Sequence, residues 1–237
     1  MSDSEVDEIF PGVFRVPDLK NPNKRMLATK NLTPGKTYYG ERISKLRVNK
    51  ETAEFRFWDP FRSKLSAAIL NGLNVFPLSN GTVCLYLGAS TGTTVSHISD
   101  IVGERGRIFA VELASRVARE LLENVVRYRT NILPIVGDAR HPERYSAVYG
   151  DISLVYCDIA QPDQTEIAVA NCRRFLVPSG MLFLVVKASS INALKDKREV
   201  FDDQLRLLRE LRFEVLQKID LEPYDRNHAM IVARMLA

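Results

Sequence analysis

The chain has few cysteines, few aromatic residues and no long apolar run. Its 237 residues include three cysteines, one tryptophan and 8% aromatic residues. Cys84, Cys157 and Cys172 lie too far apart for a metal knuckle, so we expect reduced core residues and no metal site. No apolar run approaches the roughly 18 residues that span a bilayer, and the first residues are acidic. We therefore expect a soluble intracellular protein without a membrane span.

Basic residues are concentrated in one segment near the start of the chain. Residues 1–14 carry four acidic and no basic side chains, whereas residues 15–50 carry ten basic and two acidic ones. These two segments account for the formal net charge of +4, because residues 51–237 are neutral. We expect the basic segment to attract a polyanion such as a nucleic acid, with a solvated basic surface as the alternative interpretation.

The first quarter of the sequence is typical of a small β-rich domain. Short apolar runs separated by turns with Pro and Gly occur at 13–16, 26–29, 38–39 and 55–57. Helical spacing begins only after Pro60, and it predicts an amphipathic helix with Lys64 in its first turns. We therefore divide the chain into a small β-rich N-terminal domain at 1–57 and a larger domain at 58–237.

The larger domain alternates predicted strands and helices. The strands are predicted at 83–87, 108–111, 132–136, 153–157, 182–186, 213–219 and 229–235. The intervening helices include one over 117–128, one that begins at Pro162 and one over 200–211. An alternating chain that closes with an antiparallel hairpin predicts an α/β fold, namely the seven-stranded Rossmann-like sheet of an S-adenosylmethionine-dependent methyltransferase. Ordinary dehydrogenases usually close their sheet differently.

The loop after the first of these strands has the residues of a ligand site. Gly88 and Gly92 lie among small residues between a predicted strand and a predicted helix, where a side chain would block close approach of a ligand. Glu112 follows Gly88 by 24 residues and ends the second strand, where it could accept hydrogen bonds from both hydroxyls of a ribose. This spacing favours a nucleoside ligand over a tight turn that binds nothing.

Three other strand ends carry polar residues. Asp138 could accept a hydrogen bond from an adenine amine, although a helix-capping role explains it equally well. Asp158 is expected to face the reactive end of the ligand, and Lys187 either extends to solvent or is held in the cleft. His228 opens the last strand, whereas we expect the other two histidines, His97 and His141, to pack or hydrogen-bond locally.

Taken together, these motifs resemble the fibrillarin family in its short archaeal form. The resemblance covers nearly the whole chain and rests on NLTPG at 31–35, YYGE at 38–41, FWDP at 57–60, RSK at 62–64, YLGASTGTTVSH at 86–97, DARHP at 138–142, DIAQPDQ at 158–164, PY at 223–224 and HA at 228–229. It implies methylation of the ribose 2′-hydroxyl in guide-paired pre-rRNA and tRNA, as the catalytic subunit of a box C/D guide ribonucleoprotein. The partners that it implies are a Nop-domain scaffold protein, a kink-turn-binding ribosomal-type protein, the guide RNA and the substrate RNA.

The resemblance also assigns roles to residues. It places a catalytic set at Lys64, Asp158, Lys187 and His228. The residues expected to bind S-adenosylmethionine are Gly88, Ala89, Thr93, Thr94, Glu112, Leu113, Asp138, Ala139, Asp158, Ile159, Ala160 and Gln161. For the reaction itself we expect Lys187 to act as the base, helped by desolvation and the neighbouring charge of Lys64, with Asp158 orienting it. Lys64 and His228 would hold the ribose and phosphate.

Departures from the family pattern and a scarcity of aromatic residues refine these expectations. The Gly/Arg-rich arm of eukaryotic members is absent, which predicts an archaeal cytoplasmic location, and Asn192 replaces the more frequent Asp. The loop reads Ala-Ser-Thr instead of Ala-Ala-Ser, and it keeps small residues. We expect little aromatic surface beside the basic residues, so the choice of RNA sequence would belong to a guide. The alternatives are a guide-independent ribose methyltransferase and a structural subunit without turnover.

Overall fold

Two β-sheets organise the chain in a computed structural model that describes residues 6–18, 21–48 and 51–236. The smaller sheet is antiparallel and has the order β1-β2-β3-β5-β4. Its strands are β1 (Asp7–Phe10), β2 (Val13–Asp18), β3 (Asn21–Lys30), β4 (Ile43–Val48) and β5 (Glu51–Phe57). None of the helices within the described ranges is long and apolar enough to cross a membrane.

The smaller sheet differs from the predicted one at three places. β1 and β4 were not predicted, and β4 buries only Leu46, so its apolar signal is weak. The predicted strand at 38–39 is wrong, because the backbone N–H groups of Tyr38 and Tyr39 donate to the Glu41 carboxylate at 2.9 to 3.1 Å. These local hydrogen bonds replace the ladder that a strand would need.

The larger sheet has seven strands in the order β11-β12-β10-β9-β6-β7-β8, which confirms the predicted Rossmann-like fold. β12 runs antiparallel to β10 and β11, and the other six strands are parallel to one another. The strands are β6 (Val83–Leu87), β7 (Arg107–Glu112), β8 (Ile132–Val136), β9 (Ile152–Cys157), β10 (Leu176–Lys187), β11 (Phe213–Asp220) and β12 (His228–Met235). The helices are α1 (Lys64–Leu70), α2 (Thr93–Val102), α3 (Ser115–Asn124), α4 (Gln164–Phe175), α5 (Ala188–Ile191) and α6 (Lys197–Glu210), with 3₁₀ turns at Val126–Tyr128 and Pro142–Arg144.

Two predicted helix boundaries are wrong. The helix predicted over 117–128 breaks at Val125, where φ is −120°, and only a 3₁₀ turn follows. Pro162 lies in the turn before α4, which begins at Gln164 after Asp163. The departure at Asn192 has little local effect, because its side-chain oxygen still accepts hydrogen bonds from the backbone of Leu194 and Lys195, at 2.9 and 3.2 Å.

The central strands of the larger sheet bury both faces. Along β6, Cys84 and Tyr86 point into one apolar cluster, whereas Leu85 and Leu87 point into the other. This alternation follows from the two-residue period of a strand, and burial on both faces explains why these strands read as continuous apolar runs. The three cysteines are buried and free of disulfides, as predicted.

A buried polar network joins the two sheets. Arg56 of β5 is ion-paired with Glu41 at 2.6 Å and with Asp100 of α2 at 2.8 Å, and the Arg56 and Asp100 side chains are completely buried. Arg129 binds the other oxygen of Asp100. Each buried charge therefore has an opposite charge and hydrogen bonds, which such burial requires.

His97 lies inside this junction, as the expectation of local packing requires. Its ring stacks on Trp58 with centroids 4.7 Å apart. Nδ1 lies 2.7 Å from the Thr29 hydroxyl, and Nε2 lies 2.7 Å from the Tyr39 hydroxyl. Burial, followed by the charges of Arg56 and Arg129, lowers the pKa of His97 well below its ordinary value. The ring is therefore neutral.

Both sheets also share apolar packing. Val13 and Leu27 of the smaller sheet belong to the same buried cluster as residues of α1, α2 and β6. Trp58, directly after the predicted domain boundary, also lies completely buried within this shared cluster. The division of the chain between residues 57 and 58 stays a prediction.

Candidate active site

The loop between β6 and α2 has a backbone that requires glycine. Gly88 has φ +82°, and a Cβ added there would lie 2.3 Å from the carbonyl oxygen of Asp158. Gly92 has φ +97°, and its Cβ would lie 2.7 to 2.8 Å from side-chain atoms of Leu121 and Val125. The loop therefore packs directly against the end of β9, as the prediction for Asp158 requires.

Glu112 lies at the end of β7 beside this loop. One carboxylate oxygen accepts from the Ser90 backbone N–H, and the other accepts from the Ala114 backbone N–H, both at 2.9 Å. Each oxygen has a second lone pair that a ligand hydroxyl can use. Glu112 therefore orients the loop in addition to its predicted role toward a ribose.

A cavity of about 280 Å³ lies at the carboxyl ends of β6, β7, β8 and β9. Nine of the twelve predicted cofactor residues line it: Gly88, Glu112, Leu113, Asp138, Ala139, Asp158, Ile159, Ala160 and Gln161. Six residues that were not predicted also line it: Ser90, Val111, Ala114, Gly137, Arg140 and Ile167. Its volume is close to the lower end of the range of about 300 to 1,000 Å³ found for small-molecule sites.

Ala89, Thr93 and Thr94 are not among the residues that line this cavity. Ala89 is buried, and Thr94 is buried with its hydroxyl 2.9 Å from that of Ser63. Thr93 is the first residue of α2. Their contact with the cofactor therefore stays a prediction.

Asp138 and Arg140 form the wall opposite the loop. An oxygen of Asp138 accepts from the Arg140 backbone N–H at 2.9 Å, so this carboxylate closes a turn and caps no helix. The Arg140 guanidinium binds both oxygens of Asp163, at 3.1 and 3.2 Å, and the Gln161 side chain at 2.7 Å. These contacts join the loops that follow β8 and β9 across the cavity mouth.

The predicted catalytic residues meet at the same edge of the sheet. Lys64 is the first residue of α1, and its Nζ lies 3.0 Å from a carboxylate oxygen of Asp158. Lys187 ends β10 and is paired in register with His228, which begins β12. The fold therefore gathers four residues that span more than half of the chain.

The pairing within this cluster differs from the expected one. Asp158 is ion-paired with Lys64, whereas the side chain of Lys187 has no carboxylate within 4.0 Å in the described part of the chain. The carboxylate of Asp158 also compensates part of the positive charge of Lys64, so Lys64 acts less strongly on Lys187 than the prediction assumes. Asp158 thus contacts Lys64 in this structure, and its orienting role toward Lys187 stays a prediction.

Asp225 belongs to the cluster and was not predicted. It lies in the turn between β11 and β12, with one oxygen 2.7 Å from Nδ1 of His228 and the other 3.9 Å from Nζ of Lys64. The sequence signal was present but weak, since Asp225 is only three residues before His228 in a polar turn. Burial raises the pKa of Asp225, but the hydrogen bond from His228 and the charges of His228, Lys64 and Lys187 outweigh it and lower this pKa.

A second, larger cavity of about 450 Å³ lies between the two sheets beside this cluster. Its walls include Arg62, Phe61 and Tyr224, and the last two rings make an edge contact with centroids 5.2 Å apart. Phe61 is 68% exposed, and the Arg62 guanidinium stacks over Tyr39 at 4.8 Å. The expectation of little aromatic surface beside basic residues is therefore wrong at this place. The strand-end carboxylates line the smaller of these two cavities, so the nucleoside site that they predict corresponds to that one.

Comparison with known proteins identifies what this arrangement is similar to. The sequence profile of the Fibrillarin family matches residues 5–237. A fibrillarin-like rRNA/tRNA 2′-O-methyltransferase from Pyrobaculum calidifontis is 51% identical over 209 residues, which cover 88% of each chain.

Two solved structures are similar over almost the whole chain. Fibrillarin from Aeropyrum pernix, in complex with natively bound S-adenosyl-L-methionine, has a TM-score of 0.83 at 44% identity and covers 97% of this chain and 99% of its own. The fibrillarin of a fibrillarin/Nop5p complex has a TM-score of 0.82 at 37% identity, with 97% and 100% covered.

Proposed function

Because the chain belongs to the fibrillarin family, we propose that it transfers a methyl group from S-adenosylmethionine to the ribose 2′-hydroxyl of rRNA and tRNA. The name of the Pyrobaculum calidifontis relative states this activity. One observation in this chain carries the proposal: a strand-end cavity and a cluster of lysines, carboxylates and a histidine meet at Asp158, which belongs to both. Binding and proton removal can therefore take place side by side.

The residues around the smaller cavity fit the adenosine part of the cofactor. Gly88 leaves open the space that a Cβ would fill, and Glu112 presents acceptors for the two ribose hydroxyls. Asp138 and the backbone of Ala139 would hold the adenine, and Asp158 would face the sulfur end. When bound there, S-adenosylmethionine supplies an electrophilic methyl group on a positively charged sulfur. The similar structure from Aeropyrum pernix holds this cofactor.

The chain's own residues would align and deprotonate the ribose. A 2′-hydroxyl is a poor nucleophile, so catalysis requires that its oxygen be held in line with the methyl group and lose its proton during attack. Lys187, in its neutral form, would accept this proton. It suits the role because no carboxylate lies within 4.0 Å of its amine among the described residues, whereas Lys64 lies near two.

Lys64 and His228 would hold the substrate. Two carboxylates, Asp158 and Asp225, lie 3.0 and 3.9 Å from the Lys64 amine and hold it in place, so that a remaining N–H can donate to a phosphate oxygen. His228 stands beside Lys187 on the neighbouring strand, close to where the ribose must enter. Removal of either residue would then weaken alignment of the substrate more than it weakens cofactor binding.

The protein would act inside an assembly. A Nop-domain scaffold protein is the supported partner, because a similar fibrillarin was solved in complex with Nop5p. We extend the proposal to a kink-turn-binding ribosomal-type protein, a box C/D guide RNA and the substrate RNA, in an archaeal cytoplasm. Phosphate contacts position a nucleic acid without reading its sequence, so a guide would choose the nucleotide.

Mapping of 2′-O-methyl groups tests the function. The purified chain with S-adenosylmethionine and a short target RNA is compared with the same mixture plus guide RNA and both partner proteins. We expect methylation at one nucleotide only in the complete mixture, and a guide shifted by one nucleotide should move it by one.

Variants of the cluster separate chemistry from assembly. Lys187→Ala and Asp158→Ala should abolish methyl transfer and still enter the complex, whereas Lys218→Ala, a lysine on β11 paired with Asp202 at 3.6 Å, should retain activity. Selective methylation by the lone chain would indicate a guide-independent enzyme. A complete complex that binds cofactor and never methylates RNA would indicate a structural subunit.

A further inference from the structure

The turn between β11 and β12 brings a second carboxylate into the catalytic cluster. Asp225 is the third residue before His228, and its side chain is 30% exposed. Its two oxygens point to different partners: one is 2.7 Å from Nδ1 of His228, and the other is 3.9 Å from Nζ of Lys64. Asp225 therefore bridges a residue of α1 and a residue of β12, which are 164 positions apart in the sequence.

The surroundings of Nδ1 determine which nitrogen of His228 carries a proton. Nδ1 also lies 2.8 Å from the backbone carbonyl oxygen of Arg226. A carboxylate and a carbonyl can only accept hydrogen bonds, so Nδ1 must be the donor. Nε2 has no hydrogen-bond partner within the described ranges, which leaves it available to a substrate. The turn thus holds the imidazole from one side and leaves the other nitrogen free.

We propose that Asp225 is a positioning residue for methyl transfer, which holds the His228 ring in place through Nδ1 and adds a second negative charge beside Lys64. This proposal rests on the proposed function. With Asp158 it completes an alternating series of acidic and basic groups: Asp158, Lys64, Asp225 and His228. Nε2 of His228 then remains available for the substrate, while Nδ1 is held by the turn.

The charges around Asp225 support this role. His228 faces it from β12 and Lys64 faces it from α1. The charge of Lys187 on β10 also acts on Asp225 whenever that amine is protonated, that is, outside the neutral form that would accept the substrate proton. Asp158 lies beyond Lys64 and contacts that lysine instead of Asp225. Because the pKa of Asp225 is lowered, its carboxylate remains ionised throughout the neutral range and can accept the hydrogen bond from Nδ1 of His228 when the enzyme works.

Two conservative variants and a matched control test the proposal. Asp225→Asn keeps the shape and an acceptor but removes the charge, and Asp225→Glu restores the charge. Asp203→Asn is the control, because Asp203 also contacts two basic residues, Lys195 at 2.9 Å and Arg206, and its side chain is 36% exposed, but it lies on α6. Each variant is measured in the assembled guide complex with a short target RNA.

We expect Asp225→Asn to lower kcat by about tenfold or more, the order expected for loss of a hydrogen bond between charged groups. Asp225→Glu should recover part of this loss, and cofactor affinity and entry into the complex should stay unchanged. Nitrogen NMR of the three histidines provides an independent readout. The wild-type spectrum should show a proton on Nδ1 of His228, and this signal should weaken in Asp225→Asn and stay unchanged in Asp203→Asn.

The results distinguish a positioning role of Asp225 from a purely structural one. Wild-type kcat in Asp225→Asn would overturn the proposal. So would a loss of kcat with an unchanged His228 spectrum and a lowered unfolding temperature, because that combination indicates a structural role only. A wild-type complex that methylates no RNA would instead refute the proposed function, and the NMR result would still show whether Asp225 holds the Nδ1 proton of His228.

Discussion

At the scale of single residues, Glu112 has two tasks that a substitution can separate. It accepts hydrogen bonds from two backbone N–H groups, and it is expected to accept two more from the cofactor ribose. We predict that Glu112→Ala weakens S-adenosylmethionine binding by about 1 to 3 kcal/mol, because ribose hydroxyls would lose their acceptor. Calorimetry with the purified variant measures this loss.

The neighbouring helix supplies the control for Glu112. Glu120→Ala removes a carboxylate that is 47% exposed on α3 and lies 3.9 Å from Arg116, so cofactor affinity should not change. Assembly with the scaffold protein should be the same for both variants. Equal cofactor affinity in the two variants would exclude Glu112 from the binding site.

His97 predicts how stability depends on pH. Its pKa is lowered in the folded chain, whereas the unfolded chain has a histidine with an ordinary pKa of about 6.5. Below about pH 6.5 the unfolded state therefore binds a proton that the folded state does not, and stability falls as the pH falls. We predict that His97 steepens this dependence by up to about 1.4 kcal/mol per pH unit.

Denaturant unfolding between about pH 5 and pH 7.5 measures the effect, with the ordinary histidine pKa inside that window. The comparison is His97→Gln, which keeps one hydrogen bond and cannot titrate. Its free energy of unfolding should change less with pH than that of the wild type. Parallel curves would mean that His97 is protonated to the same extent in both states.

Single residues at strand ends were predictable from the sequence, whereas their contacts were not. Glu112, Asp158 and Lys187 follow apolar runs directly, and carboxyl ends of parallel strands share one edge of a sheet. The ion pair between Asp158 and Lys64 depends on where α1 lies relative to β9, which no local pattern encodes. Asp225 lies inside the turn after β11 and does not directly follow an apolar run, so its position in the sequence does not point to the site.

At the scale of elements, the loop after β6 is the segment least able to tolerate a side chain. A Cβ at Gly88 would lie 2.3 Å from the Asp158 carbonyl oxygen, in backbone that already has φ +82°. We predict that Gly88→Ala abolishes cofactor binding and lowers the free energy of unfolding by more than about 1 kcal/mol, since backbone strain and steric overlap both act. Calorimetry and denaturant unfolding measure the two effects.

The control variant Gly81→Ala introduces backbone strain without steric overlap. Gly81 has φ +92°, but no atom lies within 4 Å of the position that its Cβ would take. Its variant should show a modest loss of stability and normal cofactor binding. If both glycine variants bound the cofactor equally well, the close approach of the loop to β9 would have no importance for the site.

Strands with continuous apolar runs were predictable from the sequence, whereas a strand with few buried residues was not. The seven strands of the larger sheet are buried on one or both faces, and their apolar runs located them. β4 escaped prediction because it has one buried residue, Leu46. The segment at 38–39 was mistaken for a strand because its two tyrosines favour strands, whereas Glu41 binds their backbone instead.

At the scale of the whole molecule, stability depends on charges buried between the sheets. Asp100 receives Arg56 from the smaller sheet and Arg129 from the loop before β8, and its side chain is completely buried. We predict that Asp100→Asn lowers the free energy of unfolding by about 3 to 5 kcal/mol, because two buried guanidinium groups lose a charged partner. Differential scanning calorimetry should still show one transition, since both sheets share one apolar cluster.

An exposed ion pair serves as the control for Asp100→Asn. Arg234 and Glu214 lie 3.4 Å apart with side chains 45% and 49% exposed, so Glu214→Gln should cost less than about 1 kcal/mol. A similar cost for both variants would mean that the buried network adds nothing beyond a surface pair. Two separate transitions in the wild type would mean that the sheets unfold independently.

The stacking of Trp58 on His97 gives the protein a built-in optical reporter. Trp58 is the only tryptophan of the chain, it is completely buried, and it lies where the two sheets meet. Its fluorescence therefore comes from a single place, and separation of the sheets would shift the emission to longer wavelength as water reaches the indole. Guide RNA, scaffold protein and cofactor can each be titrated against this signal without a dye. The experiment would reveal whether assembly keeps the junction closed or opens it.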